Sequence, residues 1–165
     1  MNGNMDWEHL GTDLDLGFVA NEDAWILSAP YTRVDLTPVT RTDIAPRTVD
    51  LKLAAGLRNL VQDLIIRLQT QAGELAPLGH GKFGSRHHEL IGMPNTETNR
   101  NRLKLYVLQC LQQEVRLASI DLVQVTAPPG NENRDKVDIR IVATARGLEE
   151  PFSLVVPFSF EGPLT

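Results

Sequence analysis

Apolar residues recur at two periods along this chain, and the change from one to the other divides it. In its middle the spacing is helical. Leu53, Leu57, Leu60, Val61, Leu64 and Leu68 make one stripe, with Lys52, Arg58, Asn59 and Asp63 largely off it. The pattern predicts a helix opened by Thr48 or Asp50, either a suitable N-cap, and stopped near Gly73. Leu103, Tyr106, Val107, Cys110, Leu111 and Leu117 make a second stripe, on a helix opened by Asn95 or Thr96 with Glu97 and Thr98 in its first turn. Between the two lies a loop holding Gly73, Pro77, Gly79, Gly81 and Gly84. So many glycines imply backbone in conformations other residues resist, or backbone approached closely by another chain. Ser85 is placed to cap a short helix over 86–90 that ends at Gly92-Met93-Pro94.

From Ile120 the period drops to two. Residues 120–126 read as a strand and Ala127-Pro128-Pro129-Gly130-Asn131 as a turn. Over 136–145 the alternation is clean, with Val137, Ile139, Ile141 and Ala143 on one side and Asp138, Arg140, Val142 and Thr144 on the other. A turn at Gly147-Leu148-Glu149 leads to Phe152, Leu154, Val156 and Phe158 on one face; Pro157 cannot donate to a ladder and marks an edge, at least at that end. The expected fold class is α+β: two main helices and a short one packed on a small C-terminal antiparallel sheet of about three strands. Residues 1–47 carry no sustained period. Gly11-Thr12-Asp13-Leu14 and Asn21-Glu22-Asp23 read as turns, Phe18, Trp25, Ile26 and Leu27 as scattered anchors, and Pro30, Pro38 and Pro46 favour extended backbone. This segment is expected to be an extended arm, preceding one domain over 48–165.

One polar residue breaks the pattern. Glu114 falls seven residues after Val107, on the apolar face, where a carboxylate is costly unless paired or hydrogen-bonded. Arg116 would point away from it in a continuing helix. The two can meet directly only if the helix ends near Val115; otherwise each finds a partner elsewhere.

Composition narrows the function classes. At 165 residues with 42% apolar and 22% charged content, the chain is one domain of ordinary globular character. A formal charge of −5 argues against a general nucleic-acid binder. Cys110 is the one cysteine, so no internal disulfide or cysteine metal knot forms, and its place in a helical stripe makes it a core residue. Residues 1–10 lack the regions of a signal peptide and no apolar run is long enough to span a membrane. The expected setting is a cytoplasm, or assembly in a cytoplasm followed by carriage elsewhere.

Candidate chemistry is thin. His87 and His88 are adjacent and would diverge by about 100° on a helix, so only one could join His80, and no carboxylate completes a metal set. A glycosidase needs two carboxylates across a cleft, one with a raised pKa; Glu74 and Glu114 are the candidates. Serine and cysteine nucleophile contexts and phosphate-cradling loops are absent. No catalytic residue, cofactor or metal is expected, and the chain reads as a non-enzyme.

Taken in order, Gly73-Glu74-Leu75, Pro77, Phe83-Gly84-Ser85, Leu90-Ile91-Gly92 and Glu114-Val115-Arg116, led by the helix over 51–70, resemble the baseplate wedge proteins of contractile phage tails and related injection systems. That family includes the corresponding component of the type VI secretion baseplate and carries an old "lysozyme-like" label. The resemblance spans 48–158 and the Gly11-Thr12-Asp13-Leu14 opening. Two departures stand out: the family commonly has Gly-Glu-Arg where this chain has Leu75, and Glu-Pro-Arg where it has Val115, which removes a forced helix break. The segment over 28–47 is also longer than the family pattern. The resemblance implies a sheath initiator, six copies to a baseplate, whose C-terminal sheet accepts strands from the first ring of sheath subunits. Other wedge proteins and the central hub or tube would be its further neighbours, with no nucleic acid and no membrane insertion. On that implication Glu114, Arg116, Val137, Ile139, Ile141, Phe152, Leu154 and Val156 are the partner-binding residues. A peptidoglycan-cleaving enzyme and a generic adaptor domain are the alternative readings.

Overall fold

The computed structural model describes residues 8–16, 19–20, 25–26, 38–41, 48–128 and 134–161. Phe18, Leu27, Pro30, Pro46, the Asn21-Glu22-Asp23 turn and the tip of the turn at Pro129-Gly130-Asn131 lie outside these residues.

The first helix begins later than its apolar spacing implies. β5 (Thr48–Leu51) and β6 (Leu53–Ala55) are extended, and α1 runs only over Leu57–Gln69. Both strands find partners. β4 (Pro38–Arg41) pairs antiparallel with β5, and β1 (Thr12–Leu14) with β6. Leu53 is consequently 59% exposed, and is not part of the helical stripe. Gly56, at φ 62°, turns the chain into the helix. At the other end Thr70 is extended and returns both its N–H and its hydroxyl to the Ile66 carbonyl, so the stop precedes Gly73. What α1 buries is Leu60, Val61, Leu64, Ile65 and Leu68, together with two polar residues, Asn59 and Gln62.

The glycine-rich loop is tied down by its own chain. The Ala72 amide donates to the Ser85 carbonyl at 3.0 Å and the Ser85 amide to Thr70 at 2.9 Å. Gly84 sits between them at φ 104°, where a Cβ would lie 2.7 Å from the carbonyl oxygens of both Thr70 and Gln71. Both a left-handed conformation and a close backbone approach therefore require glycine here. The short helix is a single 3₁₀ turn, His87–Leu90. α2 (Glu97–Leu111) starts where the sequence places it, with Thr96 Oγ1 accepting from the Asn99 amide as N-cap. Its stripe of Leu103, Tyr106, Val107, Cys110 and Leu111 is buried.

β7 (Leu117–Thr126), β8 (Lys136–Ala145) and β9 (Phe152–Ser159) form the antiparallel three-strand sheet. Val137, Ile139, Ile141, Ala143, Phe152, Leu154, Val156 and Phe158 all face the helices and belong to the one hydrophobic core. β2 (Val19–Ala20) and β3 (Trp25–Ile26) extend the sheet beyond expectation: the order is β2-β3-β9-β8-β7, with β3 parallel to β9 at Leu154 and Val155. β9 is thus covered over part of its length, and Pro157 falls beyond that cover. Among the described residues, β7 is a sheet edge along its whole length.

Candidate functional site

α2 ends at Leu111, three residues before Glu114. The next amides fold back in i→i−3 steps, Gln113 to Cys110, Glu114 to Leu111 and Leu117 to Glu114, tightening the end of the helix as such bonds do. No proline is needed: the Glu114 carboxylate accepts the Arg116 amide at 3.2 Å and closes the turn from its own side chain. Val115, where the family pattern has proline, points outward and is 77% exposed.

That turn lets Glu114 and Arg116 meet. Arg116 donates from Nε to Oε1 at 2.8 Å and from Nη2 to Oε2 at 3.0 Å, a bidentate fork. Its Nη1 goes on to Asp63 Oδ2 at 2.7 Å and to the Leu10 carbonyl at 3.1 Å. Arg67 approaches the same carboxylate at 3.5 Å and lays its guanidinium 4.5 Å from the centre of the Phe83 ring. The Glu114 side chain is 4% exposed, so it survives as an ion only because two arginines face it. Burial pushes its carboxyl upward, but the Arg116 hydrogen bonds and the charges of Arg116 and Arg67 outweigh that and hold it below the usual range. Arg116 is held protonated, by its hydrogen bond to Glu114 first, then against burial by Asp63.

The cluster joins three parts of the chain. Asp63 and Arg67 belong to α1, Glu114 and Arg116 to the turn between α2 and β7, and Leu10 to a 3₁₀ turn over Glu8–Leu10. The Arg116 carbonyl also receives the Arg146 amide from the β8–β9 turn. Next to it, Asn59 Nδ2 donates to the Leu10 carbonyl, while the Gln62 side chain bonds the Leu14 carbonyl and the Leu16 amide, both at 2.8 Å. Asp15, 1% exposed, is held by an Arg58 fork and by Lys52. The segment over 10–16 is therefore clamped to α1 rather than loose. Sequence reasoning missed Asp15, Asn59, Gln62, Asp63 and Arg67. The available signal was the run Asn59, Asp63, Arg67 at successive i+4 steps, one polar line beside the apolar stripe.

The other expected site residues are not gathered here. Val137, Ile139, Ile141, Phe152, Leu154 and Val156 have their side chains buried between the sheet and the helices. Glu74 is exposed and accepts the Gln71 amide. His80 is exposed, His88 Nδ1 contacts the Ser85 carbonyl, and the His87 ring packs edge-on against Phe158 with centres 5.5 Å apart. Burial, and then the neighbouring His88, push His87 down to about 4, so it is a neutral ring. Among the described residues no group of three or more His, Cys, Asp or Glu converges as a metal site, and no helix is long and apolar enough to cross a membrane.

No protein-family model matches the chain, and no curated protein matches it. A solved structure does. It is a Geobacter sulfurreducens protein provisionally named a tail lysozyme, 26% identical, with a TM-score of 0.48, covering 60% of this chain and 86% of its own.

Proposed function

We propose that the chain is a non-enzymatic baseplate component of a contractile tail or injection machine, and that it nucleates sheath assembly by accepting an extended strand on its C-terminal sheet. The observation that carries this reading is the ten-residue strand β7, paired with β8 on one side only among the described residues. An open edge is a template for an added strand, with main-chain hydrogen bonds supplying affinity and alternate side chains the register. The cluster around Arg116 supports it, because it locks the start of that strand to both α1 and the N-terminal segment. The motif order that resembles wedge proteins supports the same setting. Against the peptidoglycan-cleaving alternative stands the state of Glu114: a general acid needs a raised pKa, and this carboxyl is held low by two arginines.

The test is assembly of sheath on baseplates made with and without this chain. Sheath should start only when the chain is present. Normal-length sheath on baseplates lacking it refutes the proposal. So would clearing of a cell-wall suspension by the pure protein, if Glu74→Gln or Glu114→Gln abolished the clearing.

A further inference from the structure

Beside β7 runs a cleft of about 310 Å³, lined by Glu97, Arg100, Asn101 and Lys104 of α2 and by Leu122, Val123, Gln124 and Val125 of β7. The helix residues recur at i, i+3, i+4 and i+7, a single face. The strand residues are four in succession, and successive side chains of a strand point to opposite sides. All four can line one cleft only if the strand's backbone edge is its wall. The cleft is therefore a slot between a ladder edge that is unpaired among the described residues and a polar helix face. At roughly 30 Å³ per water it has on the order of ten water volumes, room for a few side chains of an added extended segment.

The slot also has a sign. Arg100 and Lys104 face one carboxylate, Glu97, on a protein whose formal charge is −5. Lys104 is exposed and makes no ion pair among the described residues; Arg100 is steadied by Asn95 Oδ1 at 3.0 Å. On the opposite side of the strand Leu122 is 42% exposed. A segment laid along β7 would send alternate side chains toward the cations of α2 and toward Leu122. Pairing of two copies through β7 would instead bring two basic slots together, which disfavours a second copy as occupant.

We infer that this slot is the docking surface for an extended partner segment that alternates acidic with apolar residues, paired by its backbone to β7 at 122–125. For the partner's identity the inference rests on the strand-accepting function proposed above; the slot itself is argued from geometry and charge. The experiment uses the full chain and two acetylated ten-residue peptides, one alternating glutamate with valine and threonine, the other carrying lysine for each glutamate. Fluorescence anisotropy measures binding, and amide NMR shifts locate it. The glutamate peptide should bind and move the amides of 122–125, and the exposed substitution Lys104→Glu should weaken it by about tenfold and favour the lysine peptide, as expected for a reversed complementary charge. Equal binding of the two peptides, unmoved amides at 122–125, or a β7-mediated dimer would each overturn the inference. Baseplates carrying Lys104→Glu separate the two ideas. If the peptides behave as expected and sheath still starts normally on those baseplates, the docking surface stands and sheath is not its partner.

Discussion

Removing Arg116 tests the central cluster most directly. In Arg116→Met the stem volume is largely kept, but four donated bonds disappear: two to Glu114, one to Asp63 and one to the Leu10 carbonyl. Glu114 stays 4% exposed with Arg67 at 3.5 Å and one backbone amide as its remaining partners. Stranding one member of a buried pair costs about 3–5 kcal/mol. Arg116 is itself 21% exposed, so water replaces part of the loss and the lower end, about 3 kcal/mol, applies. With a urea m-value of about 2 kcal/mol per molar, the unfolding midpoint should fall by about 1.5 M at pH 7. The pH dependence carries the sign. In the parent, Glu114 has a lowered folded pKa, so its contribution is present above the ordinary carboxylate value near about 4.3 and is lost as pH falls through the lower folded one. Without Arg116, burial dominates and the folded pKa rises above the ordinary value. The variant's deficit is then greatest at neutral pH and shrinks as protonation neutralises the stranded charge. Between pH 7 and pH 4.5 it should narrow by at least about 1 kcal/mol, since each unit of pKa difference is about 1.4 kcal/mol. Urea titrations of both proteins at the two pH values measure this. A deficit below about 1 kcal/mol at pH 7 means the pair is screened like a surface bridge. A pH-independent deficit means that only the packing of the arginine stem was lost. Either result refutes the reasoning.

Two further substitutions probe how the platform is held. Gly84→Ala places a Cβ 2.7 Å from two carbonyl oxygens at a left-handed φ, and should cost about 2–4 kcal/mol in urea unfolding; a cost under 1 kcal/mol would show that the loop relaxes freely. His87 is neutral when folded, with its value pushed down to about 4 from an ordinary 6.5, so the unfolded chain binds the extra proton between those values and stability falls as pH drops through that window. His87→Phe should therefore lose less stability than the parent between pH 6.5 and pH 4, by up to about 3 kcal/mol; parallel curves for the two proteins would contradict this.

Elements that carry their own pattern were legible without the fold. α2 was readable because a Thr96 cap and an unbroken 3.6-residue stripe agree, and β8 because its alternation matches a half-buried strand at every position over Lys136–Ala145. The pattern places the start of α1 too early because Leu53 happens to continue the stripe, while the ladder partners that make 48–55 extended, at 12–14 and 38–41, lie in a stretch with no sustained period. The same limit hid the strands that lengthen the sheet at β9, since two-residue strands have no period of their own.

At the cluster the division is sharper. The sequence alone determined that Glu114 needs a partner, because a carboxylate on an apolar face is not tolerated otherwise. It also determined that Arg116 could serve only if the helix stopped in time. Whether it stopped was decided by the folded chain, because Val115 is compatible with a helix and forces no break. The turn is closed by the Glu114 carboxylate on the Arg116 amide, and long-range contacts hold it in place: Asp63 and the Leu10 carbonyl take the Arg116 guanidinium, and the Arg146 amide takes the Arg116 carbonyl into the sheet. Charge and periodicity are properties of neighbouring residues along the chain. Which charges meet depends on groups 53 and 106 positions apart in sequence, and only folding brings those together.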